Sequence, residues 1–345
     1  MKQTSANSRM AGDEIPSDAV LFGSTPAMAE IHERLGKVAD TNIPILLEGE
    51  SGTGKEIIAK YIHQRSVWSE GPFVKVNCPA IPGTLVESEL FGYEKGSFTG
   101  AAGTKPGRVE MADTGTLFLD EISELALELQ SKLLQLLQDG QFCPIGARSD
   151  KKVEIRVVCA TNRRLEREAS SGRFRQDLYY RITGVIFQLP PLRERVADIP
   201  MLVSYFAGLH SERYQRKVPP LSASTMSLLK THAWPGNIRE LENLTKRYVV
   251  LGTEDAIVSA LHSRTAEQYE AEIPLDSSLP LKKVTREAVR NLESKIILNA
   301  LQANHWNRKR AARVLKISYR ALLYKLKQTG LDTHRDNSIE VPSAD

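Results

Sequence analysis

A short glycine-rich stretch carries the clearest chemical signal in this sequence. Residues 49–55 read GESGTGK, which fits the pattern G-x-x-x-x-G-K, and they lie between the apolar run 43–47 and a helical stretch at 57–63. In such a loop the glycines let backbone N–H groups surround phosphates, and Lys55 is placed to reach the β- and γ-phosphates. Glu56 stands where these loops usually carry Ser or Thr. The predicted nucleotide-binding residues are Gly49, Glu50, Ser51, Gly52, Thr53, Gly54, Lys55 and Glu56.

Two adjacent carboxylates supply the second signal. Asp120 and Glu121 directly follow the apolar run 117–119. Beside a phosphate site, Asp120 would hold Mg²⁺, directly or through water, and Glu121 would polarise the attacking water. An acidic pair at a strand end is also a common solvated turn, and a glycine-rich turn can arise by chance. The two motifs together favour a site of nucleoside-triphosphate hydrolysis.

The elements that must position these residues alternate along the first half of the chain. Apolar runs at 43–47, 73–76, 116–119 and 155–160 are separated by helical stretches. This alternation predicts an α/β domain with a largely parallel sheet, which binds its ligand at the strand ends. The predicted organisation is a flexible tail at 1–20, an α/β domain at 21–187, a helical domain at 188–253, a linker at 254–280, a second helical domain at 281–332 and a tail at 333–345.

Composition excludes several other classes of protein. The 345 residues are 41% hydrophobic and 26% charged, as in ordinary globular proteins. No stretch approaches the roughly 20 apolar residues that span a bilayer, and the polar start lacks the apolar core of a signal peptide. Cys78, Cys143 and Cys159 lack metal-ligand spacing and are expected to be buried, reduced thiols. These features predict a cytoplasmic protein with no membrane partner.

Positive charge is concentrated near the C-terminus. Residues 281–330 contain 13 Lys/Arg and 2 Asp/Glu, whereas the whole chain has a formal net charge of +4. Such an excess is typical of a segment that binds nucleic acid. Two short helical patterns flank a turn at 316–318, and Ser318 is a good N-cap for the second. The layout predicts a helix-turn-helix, and a helix at 284–302 with one apolar face would pack on it and support dimerisation.

The helix-turn-helix offers candidates for two kinds of contact with double-stranded DNA. Arg320 and Tyr324, on the second helix, are the candidate base-reading residues. Phosphate contacts give affinity without sequence information. The candidates for them are Arg308, Lys309, Arg310 and Lys325. The alternative is a solvated pair of basic helices.

A third motif, residues 96–101, reads GSFTGA. Glycine is disfavoured in regular elements and preferred where the chain turns. Phe98, between Gly96 and Gly100, is therefore predicted to be an apolar tip on a loop. A nucleotide site followed by such a loop suggests a protein that uses a nucleotide to exert force on a partner.

Together these motifs resemble those of the AAA+ activators of the sigma-54 form of bacterial RNA polymerase, the bacterial enhancer-binding proteins. The family's loop reads GESGTGKE, as residues 49–56 do, and its hexapeptide has Ala where this chain has Ser97. The C-terminal segment has the layout of the family's Fis-type module, although Lys316 occupies the turn where glycine is often seen. The resemblance assigns sigma-factor contact to Gly96, Ser97, Phe98, Thr99, Gly100 and Ala101.

The resemblance also implies the fold, the cofactors and further roles. It implies a AAA+ P-loop NTPase that uses ATP and Mg²⁺ and consists of a parallel sheet core and a helical lid. An all-α helix-turn-helix domain follows it. Asn77 would hold the catalytic Glu inactive until the partner engages, although an Asn satisfying a buried strand end is a competing explanation. Asn162, in the segment similar to sensor I, would sense the γ-phosphate, and Arg239, in the segment similar to sensor II, would reach the nucleotide from the lid.

Two further residues, Arg175 and Arg181, match the family's arginines that act on a neighbouring subunit's nucleotide. Surface ion pairing is the alternative role for either of them. A guanidinium supplied in trans stabilises charge on the γ-phosphate, and it has no role in a monomer. The resemblance therefore implies a ring, usually a hexamer in this family, with dimeric DNA-binding modules.

Three functions are considered for this chain, and the resemblance favours the first. The first is an ATPase that binds upstream DNA, oligomerises and remodels sigma-54 polymerase through residues 96–101. The second is a DNA-binding regulator on the same scaffold that acts without sigma-54 and uses ATP as an assembly switch. The third, an unfoldase or helicase loader, would not need the hexapeptide beside a helix-turn-helix. Twenty residues before the α/β domain are too few for a receiver domain, so a separate regulatory protein, control by expression level or a truncated sequence is expected.

Overall fold

The computed structural model describes residues 15–81, 83–261, 297, 300, 301 and 306–329. The chain divides into two compact units, Met1–Ser263 and Arg264–Asp345. The strands, in chain order, are β1 (Ile45–Glu48), β2 (Phe73–Asn77), β3 (Gly92–Tyr93), β4 (Lys105–Pro106), β5 (Thr116–Asp120), β6 (Gln141–Phe142), β7 (Lys151–Lys152), β8 (Arg156–Thr161) and β9 (Val185–Gln188). The helices of the first unit are α1 (Asp18–Phe22), α2 (Pro26–Val38), α3 (Lys55–Gln64), α4 (Gly83–Phe91), α5 (Arg108–Met111), α6 (Leu127–Asp139), α7 (Leu165–Ser170), α8 (Gln176–Ile182), α9 (Ile199–Tyr214), α10 (Ala223–Thr231) and α11 (Asn237–Leu251).

Five strands form one parallel sheet in the order β2-β5-β8-β1-β9. Successive residues of its strands point to opposite faces, and both faces are covered. Leu46 packs in one apolar cluster with residues of α4, α6 and α8, whereas Leu47 packs in a second cluster with residues of α2 and α3. A sheet buried on both faces needs the continuous apolar runs that the sequence shows. The predicted parallel α/β sheet is confirmed.

The register of the sheet brings the chemical groups to one edge. Asn77 is the partner of Asp120, and Glu48 is the partner of Thr161, at the carboxyl ends of their strands. The glycine-rich loop leaves β1 at the same edge. Parallel strands all end on one side, so this edge is where a ligand is expected to bind.

The helical lid packs around one buried tryptophan. Trp234 is fully buried, and its indole N–H donates to Leu229 O at 2.9 Å. Residues 255–261 are helical, and Ile257 and Leu261 belong to the same apolar cluster. The lid packing therefore extends past the predicted boundary at residue 253. The rest of the predicted linker lies outside the described residues.

Three sequence expectations differ from the structure. The strand β9 was not among the predicted strands, because it is only four residues long and only partly buried. The predicted flexible tail is helical from Asp18, since Phe22 is buried against α2 and α3. Cys143 is half-buried, unlike Cys78 and Cys159, which are buried as predicted. No helix among the described residues is long and apolar enough to cross a membrane.

In the second unit, α12 (Arg308–Val314) and α13 (Tyr319–Thr329) form the predicted helix pair. The side chain of Asn307 caps α12, and the Ser318 hydroxyl accepts from Ala321 N at 3.1 Å at the start of α13. Lys316, in the turn, has a φ of +53°, the left-handed conformation that usually favours glycine. Ala311, Ala312, Leu322 and Leu326 are buried together with the described residues of the preceding segment. The rest of the predicted helix at 284–302 lies outside the described residues.

A buried ion pair joins the lid to the first two helices. Arg195 Nε donates to Asp198 Oδ2 at 3.0 Å, and the two side chains are 2% and 0% exposed. Asp198 also accepts from the N–H of Ser24 at 2.7 Å and from the hydroxyl of Thr25 at 3.1 Å. Burial alone would raise the pKa of Asp198, but the hydrogen bonds outweigh burial and leave this pKa below its usual value. The carboxylate is therefore held in its charged form.

Replacing Asp198 by Asn is expected to destabilise the first unit by about 3–5 kcal/mol, because Arg195 is left buried without its counterion. Urea unfolding followed by tryptophan fluorescence measures the change. The matched control is Asp139→Asn, at an exposed position at the end of α6, with an expected change of about 0.5 kcal/mol or less. Equal losses in the two variants would show that the ion pair does not hold the lid.

Candidate functional site

The glycine-rich loop is in backbone contact with the lid. Gly52 and Gly54 have φ values of +80° and +98°, which L side chains rarely adopt. Ile238 N, at the start of α11, donates to Gly52 O at 3.0 Å. A Cβ on Gly52 would lie 2.4 Å from Gly236 O. Glycine is therefore required here both by conformation and by the close approach of the lid.

Lys55 is buried inside the loop and faces a carboxylate. Its Nζ donates to Gly49 O at 2.7 Å and Glu50 O at 3.1 Å, and lies 3.8 Å from Glu121 Oε1. The other oxygen of Glu121 accepts from Asn162 N at 2.9 Å. Burial lowers the pKa of Lys55, and the charge of Glu121 opposes that shift. The structure thus brings the predicted lysine, carboxylate and sensor asparagine together.

The neighbouring carboxylates are joined by a lysine that the sequence did not single out. Lys75 Nζ, on β2, lies 2.6 Å from Glu56 Oε2 and 3.6 Å from Asp120 Oδ2. Asn77 is exposed at the end of β2, beside Asp120. Its exposure removes the competing explanation of a buried strand-end asparagine. In this structure, however, Glu121 is held by Asn162 and Lys55.

The donor set at this edge fits Mg²⁺ bound together with phosphates. Asp120 and Glu121 are hard oxygen donors, which Mg²⁺ prefers. Among the described residues, no group of three or more His, Cys, Asp or Glu side chains is placed to hold a metal ion by itself. Mg²⁺ usually takes one or two carboxylates plus substrate phosphates and water. The site therefore suits Mg²⁺ that arrives with a nucleotide.

A cavity of about 650 Å³ opens at this edge of the sheet, within the usual size range for ligand pockets. Its polar end is formed by predicted site residues. These are Ser51, Gly52, Thr53, Gly54, Lys55, Glu56, Asp120, Glu121 and Arg239. Its apolar walls come from α1, α9 and α11. They include Val20, Leu21, Leu202, Phe206 and Ile238. Phosphates suit the polar end and a flat base suits the apolar end.

Side-chain hydrogen bonds fasten the lid to the loop. Arg239 Nη1 donates to Ser51 Oγ at 3.0 Å, and Asn237 Nδ2 donates to Ser51 O at 3.0 Å and to Glu50 Oε2 at 3.1 Å. Arg193 pairs with both oxygens of Glu50 at 2.7 and 2.8 Å. The hydrogen bond from Arg193 lowers the pKa of Glu50. Arg193 and Asn237 were not predicted, and no local sequence signal links Arg193 to a loop 143 residues away.

The two arginine-finger candidates lie on or beside α8 and do not line the cavity of their own chain. Arg175 pairs with Asp177 at 2.6 and 3.0 Å. Arg181 donates to Leu137 O at 2.8 and 3.2 Å. Both arginines are exposed. The contact of Arg175 with Asp177 agrees with the surface ion-pairing alternative, whereas Arg181 bonds a backbone carbonyl. The exposure of both arginines leaves them accessible to a neighbouring subunit.

The loop at 96–101 closes on itself through backbone hydrogen bonds. Gly96 N donates to Ala101 O and Ala101 N donates to Phe98 O, each at 3.0 Å. Gly96 and Gly100 have φ values of +81° and +108°, so a side chain at either position would strain the turn. Phe98 is 42% exposed and contacts the Tyr93 ring edge-on, with ring centroids 4.9 Å apart. The loop thus displays an aromatic ring at its tip.

Ser97 packs against a second loop that supports the first. Ile145 N donates to Gly92 O and Glu94 N donates to Ile145 O, each at 3.0 Å. The next residue, Gly146, approaches so closely that a Cβ there would lie 2.5 Å from Ser97 Cβ. The Ser97 hydroxyl is buried in this contact and has no hydrogen-bond partner among the described residues. An unsatisfied buried hydroxyl destabilises the closed loop.

The helix-turn-helix presents one polar face. Arg320 and Tyr324 are four residues apart on α13 and both are exposed, whereas Leu322 and Leu326 are buried. Residues four apart share a helix face, so the two base-reading candidates lie side by side. Of the phosphate-contact candidates, Lys309 and Arg310 are exposed, and Arg308 and Lys325 are half-buried.

Replacing Ser97 by Ala removes the unsatisfied hydroxyl and is expected to stabilise the closed loop by about 1 kcal/mol. Hydrogen exchange at the amides of Gly96 and Ala101 should slow about fivefold. The control is Thr99→Ala, which removes an exposed hydroxyl from the same loop and should leave both rates unchanged. Faster or unaltered exchange in Ser97→Ala would mean that the hydroxyl does not destabilise the loop.

Comparison with known families gives three consecutive matches. Residues 21–188 match the Sigma-54 interaction domain, residues 193–278 the AAA+ ATPase lid domain, and residues 288–328 the Bacterial regulatory protein, Fis family. They follow the order of the sheet domain, the lid and the helix-turn-helix. The resemblance inferred from the motifs is confirmed.

Relatives and solved structures agree with these matches. Regulatory protein AtoC of Escherichia coli is 43% identical over 90% of this chain and 68% of its own length. The Nif-specific regulatory protein of Azotobacter vinelandii is 43% identical over 89% of this chain and 58% of its own length. Crystal structures of NtrX from Brucella abortus with ADP or ATP are 33% identical, with TM-scores of 0.64 and 0.62, and cover 92% and 89% of this chain and 70% and 68% of theirs. The chain therefore belongs to the sigma-54-dependent AAA+ transcriptional activators that carry a Fis-type helix-turn-helix.

Proposed function

We propose that this protein hydrolyses ATP to remodel sigma-54 RNA polymerase bound at a promoter, while its helix-turn-helix holds it on upstream DNA. The observation that carries the proposal is the convergence of Lys55, Glu121, Asn162 and Arg239 at one edge of the sheet. The same domain displays Phe98 on its closed loop. Remodelling of the polymerase requires an ATPase site and a contact surface for the polymerase in the same domain. It acts in the cytoplasm, where the DNA and the polymerase are.

The geometry supports a hydrolytic mechanism. The loop N–H groups and the α3 N-terminus bind the β- and γ-phosphates, and Lys55 leaves the loop carbonyls to pair with them. When bound, Mg²⁺ neutralises phosphate charge, and Asp120 is placed to hold it. Glu121 accepts a hydrogen bond from the attacking water and takes its proton. Binding of ATP to the relative NtrX supports the same nucleotide for this chain.

Completion of the site by a second subunit is part of the proposal. Charge on the γ-phosphate is best neutralised by a guanidinium. Arg175 and Arg181 are exposed outside the cavity, so a neighbour's α8 is the element that would deliver one. Hydrolysis then depends on assembly into a ring, which we propose to be hexameric.

The chain topology suggests how the site drives the loop. Residues 96–101 are inserted between β2, which ends at Asn77, and β5, which ends at Asp120. The insertion leaves β2 at Asn77 and enters β5 at Thr116. A change at Asn77 would be passed directly to the insertion, whereas a change at Glu121 would reach it through β5 or through Asn77, the partner of Asp120. We propose that Asn162 senses the γ-phosphate, that Asn77 holds Glu121 in an inactive position until the partner engages, and that the loop is raised or lowered accordingly.

DNA binding completes the proposed function. Exposed Arg320 and Tyr324 would enter the major groove, and the basic residues of the first turn of α12 would contact phosphates. Two modules on a palindromic upstream site would raise the local concentration of the ATPase near the promoter. This tethering explains the excess of positive charge in the terminal segment.

Replacing Glu121 by Gln is expected to reduce ATP hydrolysis by about 10²–10⁴-fold, because the group that takes the proton is lost. ATP binding should be kept, since the phosphate-binding loop is unchanged. Steady-state phosphate release and equilibrium nucleotide binding measure the two effects. Glu128→Gln, at an exposed position on α6, is the control and should hydrolyse ATP at the normal rate. Unaltered hydrolysis in Glu121→Gln would refute the proposed site.

Replacing Phe98 by Ala is expected to abolish ATP-dependent open-complex formation on a sigma-54 promoter while leaving ATP hydrolysis intact. The physical reason is loss of the only aromatic surface in the hexapeptide that a partner can grip. Permanganate footprinting detects the open complex. Val67→Ala, at an exposed apolar side chain, is the control and should remain active. ATP-dependent opening that persists in Phe98→Ala would refute the assignment of polymerase contact to residues 96–101.

A further inference from the structure

One polar side chain lies on the buried face of α6. Gln130 is fully buried, and Leu129, Leu133 and Leu136 of the same helix are buried with it. These leucines pack in the apolar cluster that covers one face of the sheet. Glutamine is mostly found exposed, because burying an amide is costly unless hydrogen bonds satisfy it. The partners of the Gln130 amide therefore decide why it is tolerated there.

The amide of Gln130 bridges two segments of backbone. Its Nε2 donates to Leu125 O at 2.7 Å, and its Oε1 accepts from Arg175 N at 2.8 Å. Leu125 is the last residue of the catalytic turn, residues 121–125, in which a short 3₁₀ helix directly follows Glu121. One buried side chain thus connects the turn behind the proposed proton acceptor with the first arginine-finger candidate.

The hydrogen bond to Arg175 meets a requirement of α8. Arg175 is the N-cap of this helix and has an extended backbone, so its N–H has no partner within the helix. In a capping box the side chain three residues further on accepts from this N–H. Leu178 stands at that position and has no acceptor. Gln130 supplies the acceptor from α6, and the start of α8 is thereby fixed to the catalytic turn.

A chain of ion pairs joins the same two segments by a second route. Glu124 pairs with Arg163 at 2.7 Å, and Arg163 lies 3.7 Å from Glu168. Glu168 in turn accepts two hydrogen bonds from the Arg173 guanidinium, at 2.7 and 2.9 Å. The two arginines are 48% and 62% exposed, and exposed ion pairs contribute little stability. The buried amide of Gln130 is therefore the main link.

We propose that Gln130 is a positioning residue for ATP hydrolysis in the neighbouring subunit, because it fixes the backbone of Arg175 to the catalytic turn of its own chain. This inference rests on the proposed ring and its trans-acting arginine. The Arg175 guanidinium pairs with Asp177, only two residues away, so its place relative to the sheet is set by the backbone. A shift of about 1 Å in a catalytic group costs up to about 100-fold in rate.

Mixed rings test the proposal, because they separate the subunit that hydrolyses ATP from the subunit that supplies the arginine. Donor subunits carry Glu121→Gln and are mixed in large excess with wild-type subunits, and phosphate release per wild-type subunit is measured. Adding Gln130→Met to the donors removes the amide at nearly the same side-chain length. We expect hydrolysis to fall by about 10-fold to 100-fold. Adding Gln135→Met, at an exposed position on α6, should leave it unchanged.

The reverse mixture shows whether the variant's own site is intact. Gln130→Met subunits are then the minority, and excess Glu121→Gln donors supply the arginine. We expect hydrolysis per Gln130→Met subunit to match that of wild-type subunits in the same donors. A merely structural role would lower hydrolysis in both arrangements. A loss in the reverse mixture would therefore overturn the proposal, as would full hydrolysis with Gln130→Met donors.

A second variant keeps the test decisive if Gln130→Met does not fold. Gln130→Glu keeps the shape and an acceptor for Arg175 N, but its carboxylate has no donor for Leu125 O. As a donor it should lower hydrolysis by less than Gln130→Met, and in the reverse mixture it should have no effect. Full hydrolysis with Gln130→Glu donors, or a loss in the reverse mixture, would contradict the proposal.

Donors that carry Arg175→Ala separate this inference from the proposed function. They should lower hydrolysis at least as much as Gln130→Met donors, because the guanidinium itself is lost. Normal hydrolysis with Arg175→Ala donors would refute the role proposed for Arg175, on which the inference rests. Reduced hydrolysis with Arg175→Ala donors but normal hydrolysis with Gln130→Met donors would keep the trans-acting arginine and overturn the role of Gln130 alone.

Discussion

The contact between the glycine-rich loop and the lid is the constraint on which the structure depends. The carbonyl of Gly52 accepts the N–H of Ile238, and the space beside its Cα is filled by Gly236. Glu50 adds ion-pair and hydrogen-bond contacts to Arg193 and Asn237. The proposed phosphate-binding loop is therefore also a surface against which the lid packs. A change in the bound nucleotide would therefore alter the contacts between the loop and the lid, and a change in the lid angle would alter the shape of the cavity.

A second consequence of the fold is that the site and the moving part share their strands. The hexapeptide is built into the connection between β2 and β5, the strands that carry Asn77 and Asp120. Its closed form contains the unsatisfied Ser97 hydroxyl, which lowers the stability of that form. Segments of low local stability are the ones that move in conformational change. We propose that the loop opens when the end of β2 shifts.

Much of this could be predicted from the sequence, because the signals are local. Lys55 and Asp120 follow apolar runs directly, and in a parallel sheet strand ends converge. The contacts of Arg193 with Glu50 and of Lys75 with Asp120 depend on tertiary approach and leave no local pattern. The cost of the Ser97 hydroxyl could not be predicted, because it arises from the close approach of Gly146, far away in the chain. Sequence predicts elements and site chemistry; packing decides which groups are left unpaired.

The central claim is that ATP hydrolysis at this site drives sigma-54 polymerase from the closed to the open promoter complex. The most direct test is open-complex formation by the purified chain on a supercoiled sigma-54 promoter with its upstream site, with ATP or a non-hydrolysable analogue. The account predicts open complexes with ATP and sigma-54 polymerase, and none with the analogue. Opening with the analogue, or equal opening by polymerase carrying the ordinary sigma factor, would contradict it.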